Sequence, residues 1–422
     1  MDLAVLIIAF FVLLFLGIPI AIALCASAIL YLALYTEIPF IIIGQQMLKG
    51  VDSFTLMAIP FFVIAGCLMQ SGGISRRIVD FAKKLVGWMP GGLAVVDVVA
   101  SMIFAAMTGA GAATTAAVGG IMIPAMEKEG YPKEFATAVN STSGCLGIMI
   151  PPSIPLILFG STAGVSISDL FVATIVPGIL MGCALMLVSY VICVRRKYGK
   201  TVARAKFAEM LKALYEAKWA IMVPVIVLGG IYGGITTPTE AGAIAVVYAL
   251  FVEVFITRSM TRKLFFEIIK SSVRINAAIF LVVASATALG QIMMYYNLSA
   301  AVLDTIMGIS TSKVVIMALI LVVLLILGTF LEAAAIIMIV TPLLLPVINA
   351  IGVDPVHFGI IMLTSFAVGG QTPPVGMTLF VGASIAKISI ERLSIASIPY
   401  ILTLVVMLVI IAFVPQLSLC LI

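Results

Sequence analysis

No Asp, Glu, Lys or Arg stands between Asp2 and Glu37, a run of 34 residues. Comparable uncharged runs lie between Asp52 and Arg76, Glu134 and Asp169, Asp169 and Arg195, Lys218 and Glu240, Arg274 and Asp304, Asp354 and Lys387, and after Arg392. Each supplies the roughly 20 apolar residues that a bilayer span needs. The first run far exceeds the roughly 7 to 15 residues of a signal-peptide core and has no Lys or Arg before it, so it predicts a retained membrane helix. Only 10% of the 422 residues are charged and mean hydropathy is +1.31, whereas soluble domains carry roughly 25% charge. Such a chain cannot clothe a water-facing surface. Soluble enzymes, nucleic-acid binders and disordered scaffolds are excluded, leaving an all-α polytopic membrane protein.

The net charge of +5 sits between apolar stretches, where basic residues act as topology signals. Arg195, Arg196, Lys197, Lys200, Arg204, Lys206, Lys212 and Lys218 outweigh Glu209 and Glu216 and fix their loop in the cytoplasm. Counting forward, residues 219–233 leave the cytoplasm, the turn Thr236–Pro238 faces out, and residues 239–257 return to Arg258, Arg262 and Lys263. Glu253 reads as an interfacial charge. Counting backward puts Lys128, Lys133, Arg76, Arg77, Lys83 and Lys84 in the cytoplasm, the last four as anchors of a lateral helix. The N-terminus is then cytoplasmic and the C-terminus periplasmic. With His357 the only histidine, and six cysteines without metal spacing, no metalloenzyme ligand set is present. The chain is not read as an enzyme.

The same counting makes residues 90–127 enter and leave by one face and residues 312–350 by the opposite face. Gly130, Gly147, Pro151 and Pro152 recur at Gly352, Gly369, Pro373 and Pro374, always 222 residues later. Ile167–Ser168 finds a counterpart in Ile388–Ser389, one residue out of that register. An inverted repeat follows, with two re-entrant hairpins and two broken helices. Such repeats mark secondary transporters, because freed backbone groups are tolerable in a bilayer only where they line a cavity or bind something.

Residues 91–107 make only about 25 Å of helix, short of the roughly 30 Å hydrocarbon core, so the first returning segment suits a hairpin with its tip at Met107–Thr115. Two full spans packed through small residues are the alternative. Asp97 reads as a paired or interfacial carboxylate. In the second hairpin Glu332 is the only charge between Lys313 and Asp354. A charge at bilayer depth costs roughly 2.5–3.5 kcal/mol, so Glu332 is expected near a cation, a proton or a substrate hydroxyl. If both arms span, it sits in a turn instead. The broken helices carry Asn140–Gly144 and Thr364–Ser365 with Gly369–Pro374. Their hydroxyls, amides and freed carbonyls suit an alkali cation, and half-helix N-termini suit an anion. Serine and threonine also bridge ordinary membrane helices.

Across essentially its whole length the chain resembles the large membrane subunit of tripartite ATP-independent periplasmic (TRAP) transporters, the DctM-like permeases. The resemblance is carried by Ala58–Phe62, Gly72–Arg77, the tip at 107–115, Ile150–Pro155, Thr237–Gly242, Asp354–Gly359 and Thr372–Gly376. It implies a sodium-driven, elevator-type carrier in the bacterial inner membrane. It also implies a small four-helix membrane subunit on a separate chain and a periplasmic substrate-binding protein. One sodium site would involve Thr108, Gly109, Gly111, Ser143 and Gly144, and a second Gly328, Gly369 and Thr372. Substrate would lie near Asn140, Ser141, Thr142, Glu332 and Ser365. No organic cofactor is implied.

Sialic-acid members resemble one another in an Arg on the second broken helix, where this chain reads Val381–Ser384. A C4-dicarboxylate, a sulfonate or another small organic acid is expected instead. The expected division is a scaffold over 1–88, a transport block over 89–168, scaffold over 169–310, transport block over 311–390, and a closing scaffold helix over 391–422. The rival reading is a self-sufficient sodium/dicarboxylate symporter of similar architecture.

Overall fold

The structure, a computed structural model, describes residues 2–36, 38–71, 74–199 and 204–422. Glu37, Gly72, Gly73 and Lys200, used in the sequence reading, lie outside these. All regular structure among the described residues is helical. The chain begins with α1 (Asp2–Phe15), α2 (Ile20–Tyr35), α3 (Ile41–Val51), α4 (Ala58–Ser71) and α5 (Ile74–Val86). Two arms follow, α6 (Gly92–Thr108) and α7 (Gly111–Lys128), then a helix broken twice into α8 (Lys133–Gly144), α9 (Leu146–Met149) and α10 (Ile154–Ala163). The middle comprises α11 (Ile167–Ala173), α12 (Ile175–Arg196), α13 (Phe207–Tyr232), α14 (Pro238–Phe251), α15 (Arg262–Tyr295) and α16 (Leu298–Ile309). The second pair of arms is α17 (Lys313–Phe330) and α18 (Ala333–Ala350). After it come α19 (Pro355–Gly369), α20 (Met377–Ala386), α21 (Ile390–Phe413) and α22 (Gln416–Leu419).

Among the described residues, eight helical segments are long and apolar enough to cross a membrane, or nine if α3 and α4, bent by 64° at their junction, act as one. The uncharged run from Asp52 to Arg76 is therefore part of a bent pair rather than a straight rod. Starts follow local chemistry. Asp354 caps α19 by accepting from the backbone N of Val356 at 2.8 Å and His357 at 3.2 Å, with Pro355 in the first turn. Thr237 and Glu240 form a reciprocal capping box that opens α14. Glu253 is fully buried against protein in a π-helical turn at Val252–Ile256, where the hydroxyls of Thr257 and Ser259 donate to its carboxylate. The wider turn carries both hydroxyls back onto it. Helix α5 packs on α6 and α13, and Lys84 Nζ meets Glu209 Oε2 at 2.9 Å.

The backbone repeats the register seen in the Gly and Pro positions. Helices α7 and α18 end, and α8 and α19 begin, 222 residues apart. The residues closing α7 and α18, Glu129 and Ile351, have nearly equal dihedrals of −89°, 8° and −90°, 6°. Gly130 and Gly352 follow at φ +86° and +64°, a left-handed turn that glycine adopts without strain. Pro124 and Pro346, at the same spacing, lie inside α7 and α18. Beyond the Pro-Pro pairs the spacing becomes 223, because the second break holds one more residue. There Ser166 caps α11 and Ser389 caps α21, each accepting from the N–H three residues on. Ser166 is thus matched with Ser389, and the Ile167–Ser168 pairing with Ile388–Ser389 is not the structural one.

The halves differ in their arms. Helix α6 packs along α7, whereas α17 and α18 diverge, α17 onto α19 and α18 onto α10, α15 and α16. Between the diverging arms, α1, α15 and α16 lies a wholly apolar cavity of about 300 Å³, lined among others by Phe10, Met293, Leu327 and Ile336. Helix α20 packs on α7 and α8 and joins the two halves.

Candidate ion and substrate site

Helix α8 stops at Gly144, and α10 does not start until Ile154. Pro151 and Pro152 lack N–H donors and cannot continue the ladder. Against this break rests the turn between α6 and α7. Gly109, at φ +62°, presents its carbonyl to the N–H of Ile154 at 3.3 Å. Thr108 Oγ1 stands 2.9 Å from Thr114 Oγ1, which donates to Ala110 O at 3.0 Å. A Cβ placed on Gly147 would lie 2.6 Å from Ala110 O and from Thr114 Oγ1, and one on Gly111 would lie 3.3 Å from Gly144 O. Turn and break therefore meet backbone to backbone, bringing Thr108, Gly109, Gly111 and Gly144 together.

The Ser143 hydroxyl faces the other way, into α6. It donates to Asp97 Oδ2 at 2.6 Å and lies 3.0 Å from Ser101 Oγ, while Asn140 Nδ2 donates to Asp97 Oδ1 at 3.1 Å. All four side chains are completely buried. Thr142 turns its hydroxyl onto Ala138 O of its own helix at 2.8 Å, so it offers no donor to a guest in this conformation. Asn140 Oδ1 and Ser141 Oγ are buried without a hydrogen-bond partner among the described residues, which keeps them available. Ser141 Oγ lies over Gly382, where any side chain would displace it.

At the second break Gly369 approaches Gly328 so closely that its Cβ would lie 2.5 Å from Gly328 C and 2.6 Å from Gly328 O. Thr329 O accepts from Val375 N at 3.3 Å. Thr372 and Ser365 hydroxyls bond Val368 O at 2.8 Å and Ile361 O at 2.9 Å. Glu332 is the residue immediately before α18, half-buried, its backbone carbonyl accepting from Ile336 N at 3.2 Å and its carboxylate making no hydrogen bond or ion pair among the described residues. There the helix N-terminus favours its negative charge. Among the described residues no hydrogen bond joins it to Asn140, Ser141 or Thr142. The structure brings Thr108, Gly109, Gly111 and Gly144 together, and Gly328, Gly369 and Thr372 together, but Ser143 directs its hydroxyl to Asp97 and the substrate candidates do not form one continuous set.

Gln371 links the breaks. Its amide nitrogen contacts Ser141 O on α8 and Thr378 Oγ1 on α20, and its Oε1 is buried without a partner among the described residues. Sequence reasoning placed Gln371 in a motif but gave it no role, and Ser101 escaped it. The available signal for Ser101 was its position four residues after Asp97, one turn along the same helix face. Among the described residues no group of three His, Cys, Asp or Glu could hold a metal. What the breaks offer is hydroxyl and carbonyl oxygen, the donor set of an alkali cation.

The family profile described as "Tripartite ATP-independent periplasmic transporter, DctM component" matches residues 7–417. The isethionate TRAP transporter permease protein DctMQ of Oleidesulfovibrio alaskensis is 43% identical over 94% of this chain, which spans 63% of that relative's length. The sialic acid TRAP transporter large permease protein SiaM of Vibrio cholerae is 39% identical over 97% of this chain and 96% of its own. The C4-dicarboxylate TRAP transporter large permease protein DctM of Rhodobacter capsulatus is 35% identical over 96% and 95%. Among solved structures, the YdaH transporter of Alcanivorax borkumensis superposes with a TM-score of 0.64 over 87% of each chain at 15% identity. That last likeness is one of fold alone.

Proposed function

The chain belongs to the DctM-type large permease family of TRAP transporters and is a multi-pass membrane transport protein, not an enzyme; from that premise we propose that it drives sodium-coupled uptake of a small organic acid anion. The observation that carries the proposal is the pair of breaks. At each, a helix interruption meets the turn between two arms through backbone rather than side chains, leaving carbonyl and hydroxyl oxygens within otherwise apolar segments. Such groups are tolerated in a bilayer when they bind something. The first sodium would be held by Thr108, Gly109, Gly111, Ser143 and Gly144, and the second by Gly328, Gly369 and Thr372. The guest would lie between them, near Asn140, Ser141, Glu332 and Ser365, with Thr142 joining only if its hydroxyl leaves its own helix.

The 222-residue recurrence, combined with the basic flanks, supports two copies of opposite orientation, a cytoplasmic N-terminus and a periplasmic C-terminus. Residues 89–168 and 311–390 would form a block sliding against a scaffold of 1–88, 169–310 and 391–422. A periplasmic binding protein would deliver the guest, and a small four-helix subunit would complete the scaffold. Isethionate, sialic acid and C4-dicarboxylates, named for relatives, define the class. The lack of an Arg over Val381–Ser384 favours a sulfonate or dicarboxylate over sialate. Each net charge moved is worth about 2.3 kcal/mol per 100 mV, so an excess of sodium over guest charge would let voltage assist uptake. The test is proteoliposome uptake of isethionate, succinate and sialate, with sodium or with potassium, with and without a small subunit and binding protein. Uptake by this chain alone would favour the self-sufficient symporter. Sodium-independent uptake would remove the coupling.

A further inference from the structure

Asp97 is a carboxylate without a counter-charge. It is completely buried in α6, and among the described residues no Lys or Arg lies within 4.0 Å of it. Among the described residues, hydrogen bonds from Ser143 at 2.6 Å and Asn140 at 3.1 Å are the only ones its side chain receives, and neutral donors do not offset the loss of water around an ion. A carboxylate so placed either takes up a proton or is completed by a cation nearby.

The proton count points to where that cation lies. Ser143 has one hydroxyl proton, and giving it to Asp97 leaves the oxygen to accept from Ser101, 3.0 Å away. Both carboxylate links therefore end on the last turn of α8, whose C-terminal carbonyls already carry partial negative charge. Gly144, the next residue, faces the turn at Gly111. We infer that Asp97 supplies the negative charge of the first sodium site, as a positioning residue acting through Ser143 and Asn140 rather than as a ligand. The inference rests on the sodium reading above.

At an effective dielectric of about 20, a unit charge even about 10 Å from a cation changes its affinity by roughly tenfold or more. The experiment is ²²Na⁺ binding to the purified full chain in nanodiscs, competed with unlabelled sodium. Asp97→Asn is expected to weaken sodium binding tenfold or more, whereas Asp97→Glu, which keeps the charge, is expected to stay within tenfold of wild type. A merely structural role would lower thermal stability in both variants without separating their sodium affinities. An Asn variant within tenfold of wild type, or a Glu variant as weak as the Asn variant, overturns the inference. If the Asn variant does not assemble, the Glu variant decides on the same tenfold limit. Wild-type chain that binds no sodium sinks this inference and the sodium reading together, while sodium binding unchanged by loss of the charge sinks this one alone.

Discussion

Gly328 and Gly369 face each other, yet a methyl group added to one is not equivalent to a methyl group added to the other. On Gly369 it would lie 2.5, 2.6 and 2.7 Å from C, O and Cα of Gly328, all backbone. On Gly328 it would lie 3.3 Å from Gly369 Cα and 3.5 Å from Ser365 O. Contacts below 3.0 Å against backbone force α17 and α19 apart, and overpacking of this kind costs about 1–3 kcal/mol. Contacts at 3.3 Å require only a few tenths of an ångström. Both glycines are helical, so both substitutions gain a similar helix-propensity term of up to about 1 kcal/mol, which cancels in the comparison. If the separated backbone groups hold a cation, the 1–3 kcal/mol appears as a roughly 5- to 150-fold loss of apparent affinity. Sodium titration of transport in proteoliposomes is the assay. Gly369→Ala is expected to raise the half-saturating sodium concentration at least fivefold, and Gly328→Ala less than threefold. Equal effects, or the reverse order, would refute the geometric reasoning.

Gln371→Leu removes the link from the second break to Ser141 O and Thr378. Leaving those buried acceptors short of a donor costs about 1–3 kcal/mol, and a lower unfolding midpoint with reduced uptake is expected; unchanged values of both would count against the link. Thr237→Ala removes the capping box of α14 at a cost of about 1 kcal/mol, and should lower thermal stability while leaving the sodium half-saturation where it was. Lys84→Ala breaks an exposed ion pair with Glu209, and no measurable change in stability is expected, since such pairs are screened. In a background without the six native cysteines, Ala112→Cys should label from the cytoplasm and Ala333→Cys from the periplasm. Both sites are partly accessible, unlike the neighbouring Thr114 and Ala334, which are buried. Labelling from the opposite sides would reverse the proposed topology.

Much of this organisation was legible because charge is so scarce. Basic clusters at 195–218 and 258–263 mark where the apolar runs end, although α13 already begins at Phe207 and α15 at Arg262, and Gly130, Pro151 and their partners 222 residues later are backbone-specific residues that report backbone geometry directly. What stayed hidden depends on distance in space. Nothing in the run between Asp52 and Arg76 announces a 64° bend. The hydroxyls of Thr142 and Ser365 looked like ligands, yet each satisfies itself four residues back in its own helix. Asp97 meets Ser143 across 46 positions, and Gln371 meets Ser141 across 230. Pairings of that range leave no periodic trace in either partner's local sequence.

The void between α17 and α18 makes the surrounding amphiphile an experimental variable. A space of about 300 Å³ without a polar atom on its walls gives water nothing to bond to, and apolar cavities of this kind stay dry or take up hydrocarbon. In a cell the available hydrocarbon is a lipid tail; in a detergent micelle it is the alkyl chain of the detergent. Preparations in short, stout or branched amphiphiles would fill the gap differently, so thermal midpoints from two detergents compare two differently packed proteins.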